Sequence, residues 1–373
     1  MPQKVGLLTA GSDSPGINAA IRGFGKAAAN TFDLQVIGFR DGFEGLVNDI
    51  TFDLSGSALS GLLTLGGTIL GTSRAVPAAM PVNGVPTDRM QAALDVYRAH
   101  ELEALVCIGG KETLAAALSL KQAGANVIVM PKAADNDMPG TDLTIGFDTA
   151  REIATEAIDR LHSTANATHR IMIVELLGAN SGWLTLSAGM AAGADVILIP
   201  EIPYDTDKIS QAILARSHSG KNFSIVAVAE SARSSDLVAF LERSRKMNEK
   251  LRQGEARVEV ESQLEKIRKQ YAGQTLLLAS RLEEATKLTS RITILGALVR
   301  GGAPTAADRL LATQMAEYTA RMVAERSFGC MVCHSNGKLG SKPLEELAGK
   351  TKPIPLDHPW LTSARQVGTC LGM

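Results

Sequence analysis

Short apolar runs recur along most of the chain, each followed by a stretch whose apolar positions fall at helical spacing. The strand candidates are "KVGLLTA", "DLQVIGFR", "ALVCIGG", "NVIVMP", "RIMIVELLG", "VILIPE", "FSIVAVAE" and "RITILGAL". Strands this uniformly apolar, separated by helices, predict a parallel sheet covered on both faces and hence an α/β fold. In such sheets ligands lie beyond the carboxyl ends of the strands, which directs attention to the residues after each run. One segment breaks the rhythm. From Ser231 to about Gln274 the charge density rises, and "VEVESQLEKIRKQY" sets Val260, Leu264, Ile267 and Tyr271 at helical spacing among charged residues. This predicts a solvated helical insertion over residues 231–274.

The 373 residues, 45% of them hydrophobic, exceed the commonest size for one domain, so two lobes are expected. A formal net charge of -1 with no long block of one sign gives no reason to expect a nucleic acid or membrane partner. No apolar run reaches the roughly 18 residues of a spanning helix, and the opening "MPQKVGLLTAG" lacks a signal-peptide layout, so a cytoplasmic protein is expected. Four cysteines do not make a disulfide framework in a chain this long, and Cys107 lies in an apolar run where a buried free thiol is expected. "CMVCH" at residues 330–334 matches the haem-attachment pattern. The alternation of "SFGCMVCHSNGKL" into a turn at Asn336-Gly337 predicts an ordinary hairpin strand instead.

The chemistry-bearing residues cluster after the apolar runs. "LTAGSDSPGINAAIRG" has Gly11, Gly16 and Pro15 leading into an alanine-rich helix, a tight loop whose free N–H groups suit an anion. "CIGGKETLAA" repeats the strand-glycine-helix layout at Gly110, with Lys111 as the first side chain past the glycines. "PKAADNDMPGTDLTIGFDTA" sets Asp135 and Asp137 two apart in a turn, a layout for one general base and one metal-facing or structural acid. "LGALVRGGAPTAADR" offers the Arg300 guanidinium beside a glycine pair.

Through "LGTSR", "DNDMPGTDLTIGFDTA" and "VRGGAPTAADRLLAT" the sequence resembles the 6-phosphofructokinase family, over nearly the whole chain apart from the charged insertion. The resemblance implies two similar three-layer α/β lobes with the site in the cleft between them. The larger, donor-side lobe would comprise residues 1–146 and about 299–345; the smaller, sugar-side lobe would comprise 147–298 and about 346–373. Lys132, Glu112 and the insertion resemble the pyrophosphate-dependent branch more than the ATP branch.

Carried over position by position, the resemblance implies that Asp135 is the base for the sugar 1-hydroxyl and Asp137 its acidic companion. Arg170 and Arg291 would be presented by a neighbouring subunit to the sugar 6-phosphate. Arg300 and Glu230 would complete the sugar site. Gly11, Ser12, Arg74, Gly110, Lys111 and Lys132 would line the phosphate-donor side. Departures concentrate on that side: Lys111 stands at the metal carboxylate, Ser12 at a loop glycine, Ala133 at a threonine and Ala179 at an arginine. Ala297 and Leu177 replace a histidine and a methionine near the sugar phosphate.

Loss of one preorganised donor costs on the order of 10²–10³ in rate. The sequence therefore predicts a family member that binds fructose 6-phosphate or a similar phosphosugar with impaired catalysis, acting as a regulatory or structural subunit. It would form a homo-oligomer, or a hetero-oligomer with an active paralogue. No metal ligand set is assigned. Two alternatives stand beside this reading. One is an active 6-phosphofructokinase using Mg²⁺ with pyrophosphate or ATP; the other is a non-enzymatic binder of another anionic ligand. His169 is expected to pack or hydrogen-bond, and His358 with Trp360 to anchor a C-terminal loop.

Overall fold

The computed structural model describes residues 2–251 and 273–373. The helical pattern through Val260, Leu264, Ile267 and Tyr271 lies outside the described residues. The chain divides into two compact units, Met1–Arg151 with Ala297–Lys352, and Glu152–Gly296 with Pro353–Met373.

Strands β1 (Gln3–Thr9), β2 (Leu34–Phe39) and β3 (Thr51–Asp53) open the first unit. A small separate hairpin, β4 (Met80–Val82) and β5 (Val85–Thr87), follows, and then β6 (Leu102–Gly109) and β7 (Val127–Pro131). The second unit holds β8 (Ile171–Leu176), β9 (Val196–Leu198), β10 (Ser224–Ala229) and β11 (Ser290–Ile294). Strands β12 (Cys330–Ser335) and β13 (Lys338–Pro343) return to the first.

The sheet of the first unit runs β13-β12-β7-β6-β1-β2-β3. Its interior pairs are parallel and only the edge strands β3 and β13 run antiparallel, as expected where helices cover both faces. On one face Ile17, Ile21 and Phe24 of the helix Ile17–Thr31 pack with Leu311 and Met315 of the helix Ala306–Ala324. These two helices approach closely because Gly23 lacks a side chain; a Cβ there would lie 2.8 Å from that of Ala316. On the other face Leu114, Ala117 and Leu120 of the helix Lys111–Gln122 pack on Leu105, Cys107 and Val127. Cys107 is fully buried there, and burial pushes its thiol well above the ordinary range, as the sequence led us to expect.

β12 and β13 form a hairpin turning at Asn336 and Gly337, whose φ angles of 50° and 75° are those of a primed two-residue turn. Cys330, Cys333 and His334 are therefore strand residues, with Cys333 buried. In the second unit, β11-β8-β10-β9 form a wholly parallel sheet. Ile209 and Ile213 of the helix Thr206–His218 pack with Leu278 and Leu282 of the helix Gln274–Thr286 against Val226 and Val228. The run "RITILGAL" is strand only to Ile294; Gly296, at φ 46°, turns the chain into the 3₁₀ segment Gly296–Arg300. No helix among the described residues is long and apolar enough to cross a membrane.

Candidate active site

From β1 the chain winds to β2 on one side of the first sheet, whereas β6 and β7 lie on the other. The strand order therefore reverses between β1 and β6, and the crevice beyond their carboxyl ends is where an open α/β sheet takes a ligand. Gly11 and Ser12 follow β1 directly, and Gly110 and Lys111 follow β6. The two loops are stitched to a third segment. Gly11 N donates to the Ser73 carbonyl at 2.8 Å, and Thr72 Oγ1 donates to the Gly11 carbonyl at 2.7 Å. Arg74 Nη2, carried on that segment, donates to Ser12 Oγ at 2.9 Å.

The loop after β7 supplies the remaining groups. Lys132 extends the β6–β7 pairing by donating its backbone N–H to the Gly109 carbonyl at 3.1 Å, and the residue is only 3% exposed. The Lys132 ammonium donates to the Ser12 carbonyl. Burial lowers its pKa to about 8, with Asp13 and Glu112 raising it and Arg300 and Arg74 lowering it further. Three segments of the first unit thus place Arg74 and Arg300 within electrostatic reach of Lys132.

The turn carrying the two carboxylates is held from several directions. Asn136, at φ 54°, donates from Nδ2 to the Asp142 carbonyl at 2.9 Å, and Thr144 Oγ1 donates to the Ala133 carbonyl at 2.7 Å. Asp137 is buried, and Lys111 Nζ lies 2.5 Å from its Oδ2. Desolvation first, then the neighbouring Asp137 charge, pushes the Asp135 carboxyl up to about 7; Lys111 opposes the rise. Lys352, unmarked by any motif, closes the group from the far end of the unit. Its backbone N–H donates to the Asp137 carbonyl, and its ammonium donates to the carbonyls of Thr141 and Asp142 at 2.9 and 3.0 Å. Burial lowers the Lys352 pKa to about 8, opposed by the charges of Asp142, Asp137 and Asp135.

These residues do not suit a magnesium ion held by the protein. Mg²⁺ demands octahedral oxygen ligands, whereas Asp137 Oδ2 already meets an ammonium. No group of three His, Cys, Asp or Glu side chains among the described residues could hold a metal.

Asp308 was not singled out from the sequence. It is buried and accepts from Gly146 N at 2.9 Å, Thr149 N at 2.8 Å and Thr149 Oγ1 at 2.5 Å, capping the start of the helix Phe147–Thr168 behind the acidic turn. Its signal was Thr305 three positions before Asp308: Thr305 caps its own helix by accepting from Asp308 N.

The sugar-side candidates of the second unit do not converge within one chain. Arg170 precedes β8 and Arg291 pairs in register with Met172, so both lie at the amino end of that sheet. Glu230 follows β10, at the carboxyl end, where Gly178 N donates to its Oε1 at 3.2 Å. A six-residue strand separates these ends by about 20 Å. Ala179 is exposed on the loop next to Gly178. That loop is anchored by Glu201, whose oxygens accept from Gly182 N at 3.0 and 3.1 Å and from Ile354 N at 2.9 Å. Arg300 falls in the first unit, beside Lys132.

His169 is exposed at φ 53°, just past the helix Phe147–Thr168, so its role is to end that helix rather than to pack. His358 Nδ1 accepts from Trp360 N at 3.3 Å, and its ring meets Trp183 and Trp360 edge-on, fixing the C-terminal segment.

A family model described as Phosphofructokinase matches residues 4–323. The chain is 48% identical over 372 residues to a Propionibacterium freudenreichii protein named ATP-dependent 6-phosphofructokinase, with the whole of both chains covered. It is 43% identical over 371 residues to a Spirochaeta thermophila protein of the same name, covering 98% of this chain and 97% of that one. Among solved structures, Pichia pastoris phosphofructokinase in the T-state superposes with a TM-score of 0.77 at 28% identity, over 93% of this chain and 35% of that much longer one. A pyrophosphate-dependent phosphofructokinase from Marinobacter aquaeolei gives a TM-score of 0.76 at 19% identity, over 100% of this chain and 92% of that one, a likeness of fold alone.

Proposed function

The chain belongs to the phosphofructokinase family, and from that premise we propose that it transfers a phosphoryl group from ATP to the 1-hydroxyl of fructose 6-phosphate. One observation carries the chemistry. Asp135 is a half-buried carboxyl whose pKa desolvation and the Asp137 charge raise to about 7, beside the switch point of the sheet, where a general base is most effective. It takes the proton of the 1-hydroxyl as the O1–P bond forms and the bond between the γ-phosphorus and its bridging oxygen breaks, releasing ADP. Arg74, Lys111, Lys132 and the loops at Gly11 and Gly110 hold the donor phosphates, and Ser12 fixes Arg74. Arg300 sits beside them, and Glu230 holds sugar hydroxyls. Positioning and charge supply most of the rate in such a transfer.

This reading departs from the impaired subunit and the pyrophosphate branch to which the sequence pointed. The names of the full-length relatives support an active ATP-using enzyme, and the likeness to a pyrophosphate-dependent structure reaches only the fold. The groups replaced at Lys111 and Ala133 belong to the expected donor side, where Lys111, Lys132 and Arg74 of the first unit supply positive charge. Arg170 and Arg291, turned to the opposite end of their sheet from Glu230, support an oligomer in which they serve a neighbouring copy.

Phosphorus NMR of the full chain with ATP and fructose 6-phosphate tests the proposal. A new C1 phosphomonoester appearing together with ADP is expected. Hydrolysis of ATP with the sugar unchanged, or no change in either, would refute it.

A further inference from the structure

We propose that this chain binds its polyphosphate donor without a protein-held divalent cation, the Lys111 ammonium occupying the carboxylate face of Asp137 that a metal would need. The proposal rests on the donor reading given above and extends it to the charge state of the donor. Lys111 begins the helix Lys111–Gln122, and its side chain reaches across to Asp137 Oδ2 at 2.5 Å. With 19% of the lysine side chain and 6% of the aspartate exposed, the pair is a built part of the site rather than a surface contact.

Charge counting points the same way. The three carboxylates around the turn, Asp135, Asp137 and Asp142, are faced by two ammoniums, Lys111 and Lys352, which offset most of the negative charge that would attract a divalent ion. A divalent ion placed on Asp137 would also stand against Lys111 in a poorly hydrated setting. Next to this corner, Lys132, Arg74 and Arg300 stand against Asp13 and Glu112, which leaves an excess of positive charge at the reversal of the sheet. Such a surface favours the more highly charged, metal-free polyphosphate over its magnesium complex, and the ammoniums take over neutralisation that a metal would provide.

Two measurements on the full chain test this. Calorimetric titration with ATP is run in buffer with EDTA and again with excess magnesium. Metal-free ATP is expected to bind at least as tightly as the magnesium complex, and Lys111→Glu to reverse the preference by about tenfold or more. Electron paramagnetic resonance of Mn²⁺ added to the protein alone should show only the free-ion spectrum for the wild type and a bound fraction for Lys111→Glu. The wild-type experiments stand without the variant should it fail to fold. ATP binding that requires magnesium, or Mn²⁺ held by the wild-type protein, overturns the proposal while leaving the functional reading intact. ATP binding in neither buffer overturns the donor reading, and this proposal with it.

Discussion

Replacing Lys111 with methionine keeps the length and apolar stem of the side chain but leaves Asp137 buried without its ammonium. Breaking a buried pair by removing one partner typically costs 3–5 kcal/mol. Because Lys111 keeps 19% of its side-chain exposure against 6% for Asp137, some solvent screening applies, and a loss of about 3 kcal/mol, the low end of that range, is expected. Urea unfolding of the wild type, Lys111→Met, Asp137→Asn and the double variant at pH 8 reads both the loss and the coupling. The double variant should fall short of the sum of the single losses by about 2 kcal/mol, since each single change strands the other member of one pair and the double change strands neither. A Lys111→Met loss below about 0.5 kcal/mol, in the range of a surface pair, would refute the buried-pair reading, as would two strictly additive losses.

Asp135→Asn should lower turnover by about 10²–10⁴ if Asp135 is the base. Its effect on stability runs the other way. Since the folded pKa is raised to about 7, wild-type stability should fall as pH rises from about 4 through 7, and the variant should escape that loss; parallel urea midpoints across this window would contradict the burial argument. Turnover itself should rise with pH through about 7 as Asp135 ionises, and a rate independent of pH from 6 to 8 would exclude it as the base. Asp308→Ala strips three hydrogen bonds from the start of the helix Phe147–Thr168 and should cost about 2–3 kcal/mol, with faster amide exchange at Thr149; unchanged protection there would show the cap to be dispensable. Glu201→Ala should release the N–H groups of Gly182 and Ile354 to rapid exchange at a cost of about 1–3 kcal/mol, and slow exchange at both would rule out the anchoring role.

The sheets were legible because their strands are buried on both faces, so "ALVCIGG" and "NVIVMP" stand out as unbroken apolar runs ending in the glycine and lysine positions of the site. The hairpin β4–β5 escaped notice although Asn83-Gly84, at φ 50° and 80°, carries the same turn signal read at Asn336-Gly337; its strands are only three residues long and half-exposed. Residues at the carboxyl ends of strands could be singled out one by one, but their partners could not. Nothing near Lys111 signals Asp137, and Lys352 reaches the acidic turn from more than two hundred positions away. The meaning of Lys111 changed accordingly, from a missing metal carboxylate to one half of an ion pair. The separation of Arg170 and Arg291 from Glu230 depends on strand register, which no local window contains.

The most direct test of the central claim is steady-state turnover of the purified full chain with saturating fructose 6-phosphate and either ATP or pyrophosphate as the donor. The account predicts kcat with ATP in the ordinary enzyme range, about 1 s⁻¹ or above, and a lower kcat/KM with pyrophosphate. Turnover with ATP below about 10⁻² s⁻¹ in a protein that still binds the sugar phosphate would contradict it, and would return the chain to the role of a sugar-binding subunit that does not catalyse.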